Sequence, residues 1–232
     1  MIVPAHDADA IARYPQFAPD VVVLDLEYTV PPKAKEAART GLGALVKKLG
    51  DAQATVFVRI DRDTRWADAR AAIHRGIKGI VFPGADSADE VAEISEFIDA
   101  LEKERGVESG VTELALMLES AKGFWDAAAI AQASERVTTL GVGRVDLTMR
   151  LGPLPQNEFR LHRFLMTRTQ VAAVMLDKQP LGALWRPDSR GGAATAAATE
   201  KAAREARLMG FTGSLCANPE QVAAVNSGFA GA

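Results

Sequence analysis

Carboxylates and one arginine follow apolar runs along the chain, at positions where buried strands should end. Asp25 and Glu27 close the run VVVLDLE, and Arg59 closes VFVR. Glu119 ends LALMLE, and Asp146 follows the next apolar run, in GVGRVDL. A carboxylate at the end of a buried strand is costly unless a cation compensates its charge. The candidate compensators are Arg59 and a divalent metal ion.

Glu119 and Asp146 are the candidate metal ligands, because they end consecutive predicted strands. Two carboxylates, completed by waters and substrate oxygens, make a typical Mg²⁺ site, and Mn²⁺ takes the same kind of ligand. Alternatively, the two acids only cap the helices that follow. Ser120 is itself a good N-cap residue, so capping does not require Glu119.

Arg59 has two interpretations that the sequence leaves open. It is either an ion-pair partner of Asp25 or Glu27, or a bidentate clamp for a substrate carboxylate. The neighbouring Tyr28 could act on a proton. Because an unperturbed phenol has a pKa near 10, Tyr28 suits a hydrogen-bond donor or general acid better than a base.

The elements that must position these side chains alternate regularly. The predicted strands are residues 2–4, 21–27, 55–60, 79–83, 113–120, 138–143, 181–185 and 213–217. The predicted helices are residues 7–13, 33–49, 66–75, 87–105, 122–133, 157–176, 193–208 and 219–226. Strand runs that are almost continuously apolar are typical of strands buried on both faces.

Strict β/α alternation predicts a parallel sheet with right-handed crossovers. Eight strands in 232 residues favour a single (β/α)₈ barrel domain over 1–232. In such barrels the active site lies at the carboxyl ends of the strands, where all the acids above are placed. The last helix is expected to pack on a neighbouring subunit.

Composition narrows the class of protein. The formal net charge of −3 argues against a nucleic-acid partner. No apolar run reaches the roughly 20 residues that span a bilayer, so no membrane partner is expected. The N-terminus carries two aspartates and no basic region, unlike a signal peptide. With the single cysteine Cys216, these features predict a cytoplasmic protein.

Several segments resemble one known family, in the same order along the chain. The run VVVLDLEYTVPPKAKEAAR resembles the pattern D-L-E-D-x-V-x-x-x-x-K-x-x-A-R of citrate lyase β subunit-like proteins in the HpcH/HpaI aldolase superfamily. VRID resembles V-R-I-N, and GIVFPGADSADEV resembles G-I-x-x-P-K-x-E-x-x-x-x-V. LALMLESAKG, RVTTLGVGRVDLTMRLG and GFTGSLCANPEQ resemble three further segments of that family. The resemblance covers nearly the whole chain.

This resemblance implies a (β/α)₈ barrel that cleaves or forms a carbon–carbon bond next to a carbonyl. It implies Mg²⁺ ligands at Glu119 and Asp146, and a substrate-carboxylate arginine at Arg59. The implied substrates are small 2-oxo acids and 3-hydroxyacyl-CoA thioesters such as citryl-, malyl- or citramalyl-CoA. The implied assembly is a homotrimer or hexamer. Glu27 and Tyr28 are the further catalytic candidates, and Asp25 and Glu119 the further substrate-binding candidates.

The chain also departs from the family pattern. Tyr28 stands where the citrate lyase-like pattern has Asp and the pyruvate-aldolase branch has His. Gly84 replaces the lysine of P-K, and Asn218 replaces the histidine of I-H-P. Two alternatives therefore remain: an aldolase acting on a free 2-oxo acid such as pyruvate or oxaloacetate, and a catalytically degraded barrel that binds a metabolite.

Overall fold

Parallel strands alternate with helices in the computed structural model, which describes residues 1–143, 160–183 and 194–230. Within these ranges one sheet contains seven strands in chain order, each parallel to the next. The strands are β1 (Ile2–Pro4), β2 (Val22–Asp25), β3 (Val56–Arg59), β4 (Ile77–Phe82), β5 (Glu113–Leu118), β6 (Val137–Val142) and β7 (Gln179–Leu181). The predicted alternation is confirmed.

The sheet closes into a barrel through the segment that follows the last crossover. Gly182 donates its backbone N–H to the carbonyl of Gly213 at 2.9 Å, and Ile2 donates to the carbonyl of Cys216 at 2.9 Å. Residues 213–216 therefore lie between β7 and β1 and complete the (β/α)₈ barrel.

The predicted eighth strand, residues 213–217, is wrong as a regular strand. Within the described residues this segment forms one isolated bridge, between Leu181 and Gly213. Pro180 in the middle of β7 has no N–H to donate, and Gly213 has no side chain to pack, so the ladder on this side is short.

The described helices cover the outside of the barrel. They are α1 (Ala8–Arg13), α2 (Lys35–Asp51), α3 (Arg65–Ala72), α4 (Ala88–Arg105), α5 (Ala121–Trp125), α6 (Ala127–Gln132), α7 (Arg160–Met175), α8 (Ala196–Leu208) and α9 (Gln221–Ala230). Short 3₁₀ turns, Tyr14–Phe17 and Pro32–Ala34, precede β2 and α2. Among the described residues, no helix is long and apolar enough to cross a bilayer.

The helix predicted at residues 122–133 is two helices, because a distant arginine captures carbonyls at the junction. Arg168 on α7 donates from Nε to the carbonyl oxygen of Phe124 at 2.5 Å, and from Nη2 to that of Trp125. The chain bends at Asp126, which separates α5 from α6.

The strands bury side chains on both of their faces. One cluster lies in the barrel interior and consists of Ile2, Val23, Phe57, Val81, Ala115 and Met117. The alternate residues of the same strands, such as Leu24 and Val58, join the larger cluster beneath the helices. Burial on both faces explains the continuous apolar runs in the sequence.

Helix α9 packs against α8 at a point that only glycine permits. A Cβ atom at Gly228 would lie 2.5 Å from Cβ of Ala203 and 2.6 Å from the carbonyl oxygen of Glu200. The packing of α9 on a neighbouring subunit stays a prediction.

We expect Gly228→Ala to lower the free energy of unfolding by about 1–3 kcal/mol, because overpacking forces α8 and α9 apart. Gly41→Ala is the matched control, since Gly41 also lies in a helix but a Cβ atom there meets nothing within 4 Å. The control should raise the free energy of unfolding by up to about 1 kcal/mol through helix propensity. Urea unfolding of both variants measures the difference, and equal effects would contradict this packing.

Candidate active site

The register of the parallel strands brings the predicted site residues to one end of the barrel. Asp25 ends β2 and Arg59 ends β3, and the two are paired positions in the β2–β3 ladder. Glu119 directly follows β5 at the same end of the sheet. The carboxyl ends of the strands therefore hold these three charged groups, as the sequence predicts.

Asp25 and Arg59 form a bidentate ion pair. Nε of Arg59 donates to Oδ1 of Asp25 at 2.7 Å, and Nη2 donates to Oδ2 at 2.8 Å. The hydroxyl of Thr29 donates to Oδ2 at 2.6 Å, and the backbone N–H groups of Glu27 and Thr29 donate to Oδ1 and Oδ2 at 3.0 and 2.7 Å. Both oxygens of Asp25 are thus fully used, and its side chain is 0% exposed.

The expectation that Asp25 contacts substrate stays a prediction. Its carboxylate is buried beneath Arg59 and Thr29, where it fixes the orientation of Arg59. The two interpretations of Arg59 are also not exclusive. Two of its nitrogens bind Asp25, while Nη1 donates no hydrogen bond to any described residue.

The electrostatics of this pair keep both groups charged. Burial by itself would raise the pKa of Asp25, but the hydrogen bonds and charge of Arg59, helped by Thr29, lower it below its usual range. Burial would likewise lower the pKa of Arg59, and the hydrogen bond and charge of Asp25 raise it instead. The charges of Glu27 and Glu119 add to that rise, so both acids lie within electrostatic range of the guanidinium.

Glu27 and Tyr28 are placed differently from each other. Oε2 of Glu27 lies 3.3 Å from Nε of Arg59, and its side chain is 26% exposed, so it borders the site. The ring of Tyr28 is 82% exposed. No hydrogen bond joins Tyr28 to Asp25 or Arg59, and its catalytic role stays a prediction.

One glycine makes room for the carboxylate of Glu119, and a second lies beside it. A Cβ atom at Gly143, just after β6, would lie 2.4 Å from its Oε1. A Cβ atom at Gly84, just after β4, would lie 3.5 Å from its Oε2. The carboxylate therefore lies between the ends of β4 and β6, over the mouth of the barrel.

The predicted partner of Glu119 in metal binding, Asp146, lies outside the described residues. Within the described ranges no group of three or more His, Cys, Asp or Glu side chains could hold a metal ion. The carboxylate of Glu119 nevertheless suits a hard cation, because it is an oxygen donor beside Gly143, three residues before Asp146 in the sequence. Glu119 therefore fits one ligand of an Mg²⁺ site, and Asp146 as the second ligand stays a prediction.

The loop after β3 carries a charged group that sequence reasoning missed. Arg62 donates from Nη1 to the carbonyl oxygen of Gly84 at 2.9 Å. Its Nη2 lies 2.9 Å from Oδ2 of Asp86 and 3.4 Å from Oε1 of Glu90. A glycine after a strand and an acid two residues later were the only signals of this contact in the sequence.

Helix α2 braces the same loop. Arg39 donates from Nε to Oδ1 of Asp68 at 2.5 Å, and Oδ2 of Asp68 accepts the N–H of Asp61 at 2.8 Å. Lys35 pairs with the carboxylate of Asp61. Lys35 and Arg39, which are the Lys and Arg of the K-x-x-A-R pattern, thus fix the start of the loop that carries Arg62.

The chain matches the model of the HpcH/HpaI aldolase/citrate lyase family over residues 1–219. It is 27% identical over 154 residues to citrate lyase subunit beta of Haemophilus influenzae, covering 65% of this chain and 53% of that protein. It is 29% identical over 157 residues to the malyl-CoA/beta-methylmalyl-CoA/citramalyl-CoA lyase of Chloroflexus aurantiacus, covering 64% of this chain and 45% of that one. The matches thus span about half the length of these curated relatives.

A solved structure shares the fold over almost the whole chain. It is the citrate lyase beta subunit of M. tuberculosis complexed with oxaloacetate and magnesium, with a TM-score of 0.73 and 22% identity. The similarity covers 99% of this chain and 95% of that one.

We expect Asp25→Asn to lower the free energy of unfolding at pH 7 by about 3–5 kcal/mol, because it leaves Arg59 buried without its counter-charge. Since the folded-state pKa of Asp25 is lowered, its stabilising effect is complete above the unfolded pKa of about 3.9 and is lost as pH falls through the folded pKa. The gap between wild type and variant should therefore narrow below about pH 4.

The measurement is urea unfolding of both proteins from pH 7 down to pH 3. Glu200→Gln is the control, since the Glu200–Arg204 pair on α8 is exposed and should change the free energy of unfolding by less than about 1 kcal/mol. A gap between wild type and Asp25→Asn that stays constant with pH would contradict the assigned role of Asp25.

Proposed function

Because the chain belongs to the HpcH/HpaI aldolase/citrate lyase family, we propose that it is a Mg²⁺-dependent carbon–carbon lyase. The reaction cleaves or forms a 3-hydroxyacyl-CoA thioester of the citryl-, malyl- or citramalyl-CoA type, with an acyl-CoA and a 2-oxo acid as its other partners. The observation that carries this proposal is the fixed guanidinium of Arg59 within electrostatic range of the carboxylate of Glu119, at the carboxyl ends of the strands.

Arg59 binds the carboxylate of the oxo acid. Its Nη1 is available toward substrate, because Nε and Nη2 are already held by Asp25. Charge-assisted hydrogen bonds from an arginine that cannot rotate orient a carboxylate strongly. Asp25 supplies that rigidity without contacting the substrate.

Glu119 and Asp146 would hold the metal ion, Mg²⁺ or Mn²⁺. When bound, the ion offsets the negative charge that develops on the enolate oxygen. The magnesium and oxaloacetate bound by the M. tuberculosis relative support this choice of ion and of substrate class. The lack of a side chain at Gly143 lets the carboxylate of Glu119 take the position in which it would hold the ion.

One proton must leave the carbon that becomes the nucleophile, or return to it on cleavage. Glu27 is the proposed base, since its carboxylate is partly exposed and lies 3.3 Å from Nε of Arg59. Tyr28 is adjacent in sequence and exposed, so it can meet a substrate that enters from solvent. We assign it a hydrogen bond to the substrate rather than the proton transfer itself.

The second candidate function is an aldolase that uses a free 2-oxo acid. The names of the relatives favour the thioester, and the replacement of a lysine by Gly84 at the mouth favours the free acid. Release of acetyl-CoA from a panel of 3-hydroxyacyl-CoA thioesters separates the two. Turnover of none of these thioesters, with turnover of a free 4-hydroxy-2-oxo acid, would replace the first proposal by the second.

We expect Mg²⁺ together with pyruvate to raise the Tm of the wild-type protein, because a ligand that binds the folded state stabilises it. Glu119→Gln should abolish this shift and lower turnover by at least about 10²-fold, since it removes a charge next to the developing enolate. The control is Glu113→Gln, which changes an acid at the opposite end of β5, where Glu113 pairs with Lys78. An unchanged Mg²⁺ response in Glu119→Gln would overturn the metal site.

We expect Glu27→Gln to lower kcat by about 10²- to 10⁴-fold with little change in KM, as for loss of a general base. Tyr28→Phe should raise KM and leave kcat within about tenfold of wild type, because it removes a single hydrogen bond to the substrate. Steady-state kinetics on the same thioester measure both. If Tyr28→Phe lowers kcat and Glu27→Gln does not, the acid–base group is the phenol of Tyr28 and not Glu27.

A further inference from the structure

Gly84 lies in the loop between β4 and α4, where the neighbouring side chain of Arg62 leaves no space for a Cβ atom. Gly84 has φ +60°, a conformation that L side chains rarely adopt, and a Cβ atom there would lie 2.7 Å from Nη1 of Arg62. The same point lies 3.5 Å from Oε2 of Glu119. The guanidinium of Arg62 thus takes the space that a side chain at position 84 would fill, beside the proposed metal ligand.

Arg62 is held in one orientation in this space. The carbonyl oxygen of Gly84 accepts a hydrogen bond from its Nη1, and Asp86 and Glu90 flank Nη2. Its Nε donates no hydrogen bond to any described residue, and its side chain is 31% exposed. A donor therefore remains available to solvent or ligand at the mouth.

Neutralising Asp86 and Glu90, the acids of the β4–α4 loop and of α4, does not account for this placement of Arg62. Asp86 also accepts a hydrogen bond from the hydroxyl of Ser120, and Glu90 also lies 3.5 Å from Nη1 of Arg65. Arg62 could pair with both acids from the surface. Its Nη1 instead reaches inward to the carbonyl oxygen of Gly84, toward Glu119.

Two guanidiniums lie within electrostatic range of the same carboxylate, because the charge of Glu119 acts on both Arg59 and Arg62. The point that a Cβ atom of Gly84 would occupy lies 2.7 Å from Arg62 and 3.5 Å from Glu119. Each arginine is anchored by its own acid, Asp25 or Asp86. This arrangement suits a small ligand with an anionic group at each end and its central oxygens at the metal.

We propose that Arg62 determines substrate specificity by binding a second carboxylate, so that the site selects dicarboxylic over monocarboxylic oxo acids. The inference rests on the proposed function, in which Arg59 binds the first carboxylate and Glu119 holds the metal. Arg62 contributes a charge-assisted hydrogen bond that only the dicarboxylic acid can accept.

The test is calorimetric titration, in MgCl₂, with malate and with lactate, two stable 2-hydroxy acids that differ by one carboxylate. Wild type should bind malate about tenfold to a hundredfold more tightly than lactate, the range of one hydrogen bond to a charged group. Arg62→Met should reduce malate affinity to that of lactate and leave lactate affinity unchanged. Arg62→Lys, which keeps the charge but loses the fork, should retain part of the preference.

Arg65→Met is the matched control, because Arg65 shares Glu90 with Arg62 but makes no contact with Gly84. It should leave the malate preference intact. Equal affinities for malate and lactate in wild type, or equal weakening of both by Arg62→Met, would overturn the inference while leaving the proposed function standing. If the wild-type protein binds neither malate nor lactate in MgCl₂, the proposed function is overturned as well.

Discussion

The site depends on one buried carboxylate in register with one arginine. Asp25 and Arg59 are paired positions on adjacent parallel strands, so the β2–β3 ladder itself sets their separation. A fully buried Asp25 demands a counter-charge, and the two-pronged contact then removes the rotational freedom of Arg59. Because Asp25 and Arg59 are both residues of the β2–β3 ladder, the barrel backbone determines the direction in which Nη1 of Arg59 points. The geometry of the proposed site and the stability of the fold therefore depend on the same ion pair.

The sequence predicts the barrel strands well where they are buried on both faces, because short continuous apolar runs are typical of such strands. Prediction of strand and helix boundaries fails where they depend on residues far away in the sequence. The segment beginning at Gly213 reads as an apolar strand, yet Pro180 on its partner lacks the N–H that a longer ladder would need. The break at Asp126 cannot be read locally either, because it arises from Arg168, which is more than forty residues distant.

In the candidate site, too, the sequence predicts some features and not others. Strand ends identify Arg59, Glu27 and Glu119, since polar residues there must face the mouth. Burial decides what the sequence leaves open: Asp25 is sealed beneath Arg59, and Tyr28 is mostly in solvent. The position of Arg62 at the mouth cannot be predicted from the sequence. It depends on Gly84, twenty-two residues later, which has no side chain to exclude the guanidinium.

The charge balance at the mouth explains why metal and substrate should bind together. The acids at this end include Asp25, Glu27, Asp86, Glu90 and Glu119, and the arginines include Arg59, Arg62 and Arg65. Among these groups carboxylates outnumber guanidiniums, so their summed charge is negative despite the two arginines that could bind an anionic substrate. In the proposed function a divalent cation at Glu119 would offset that charge while leaving both guanidiniums fixed by their own acids. If the proposed function holds, the cation and the substrate should therefore raise each other's affinity by the same factor.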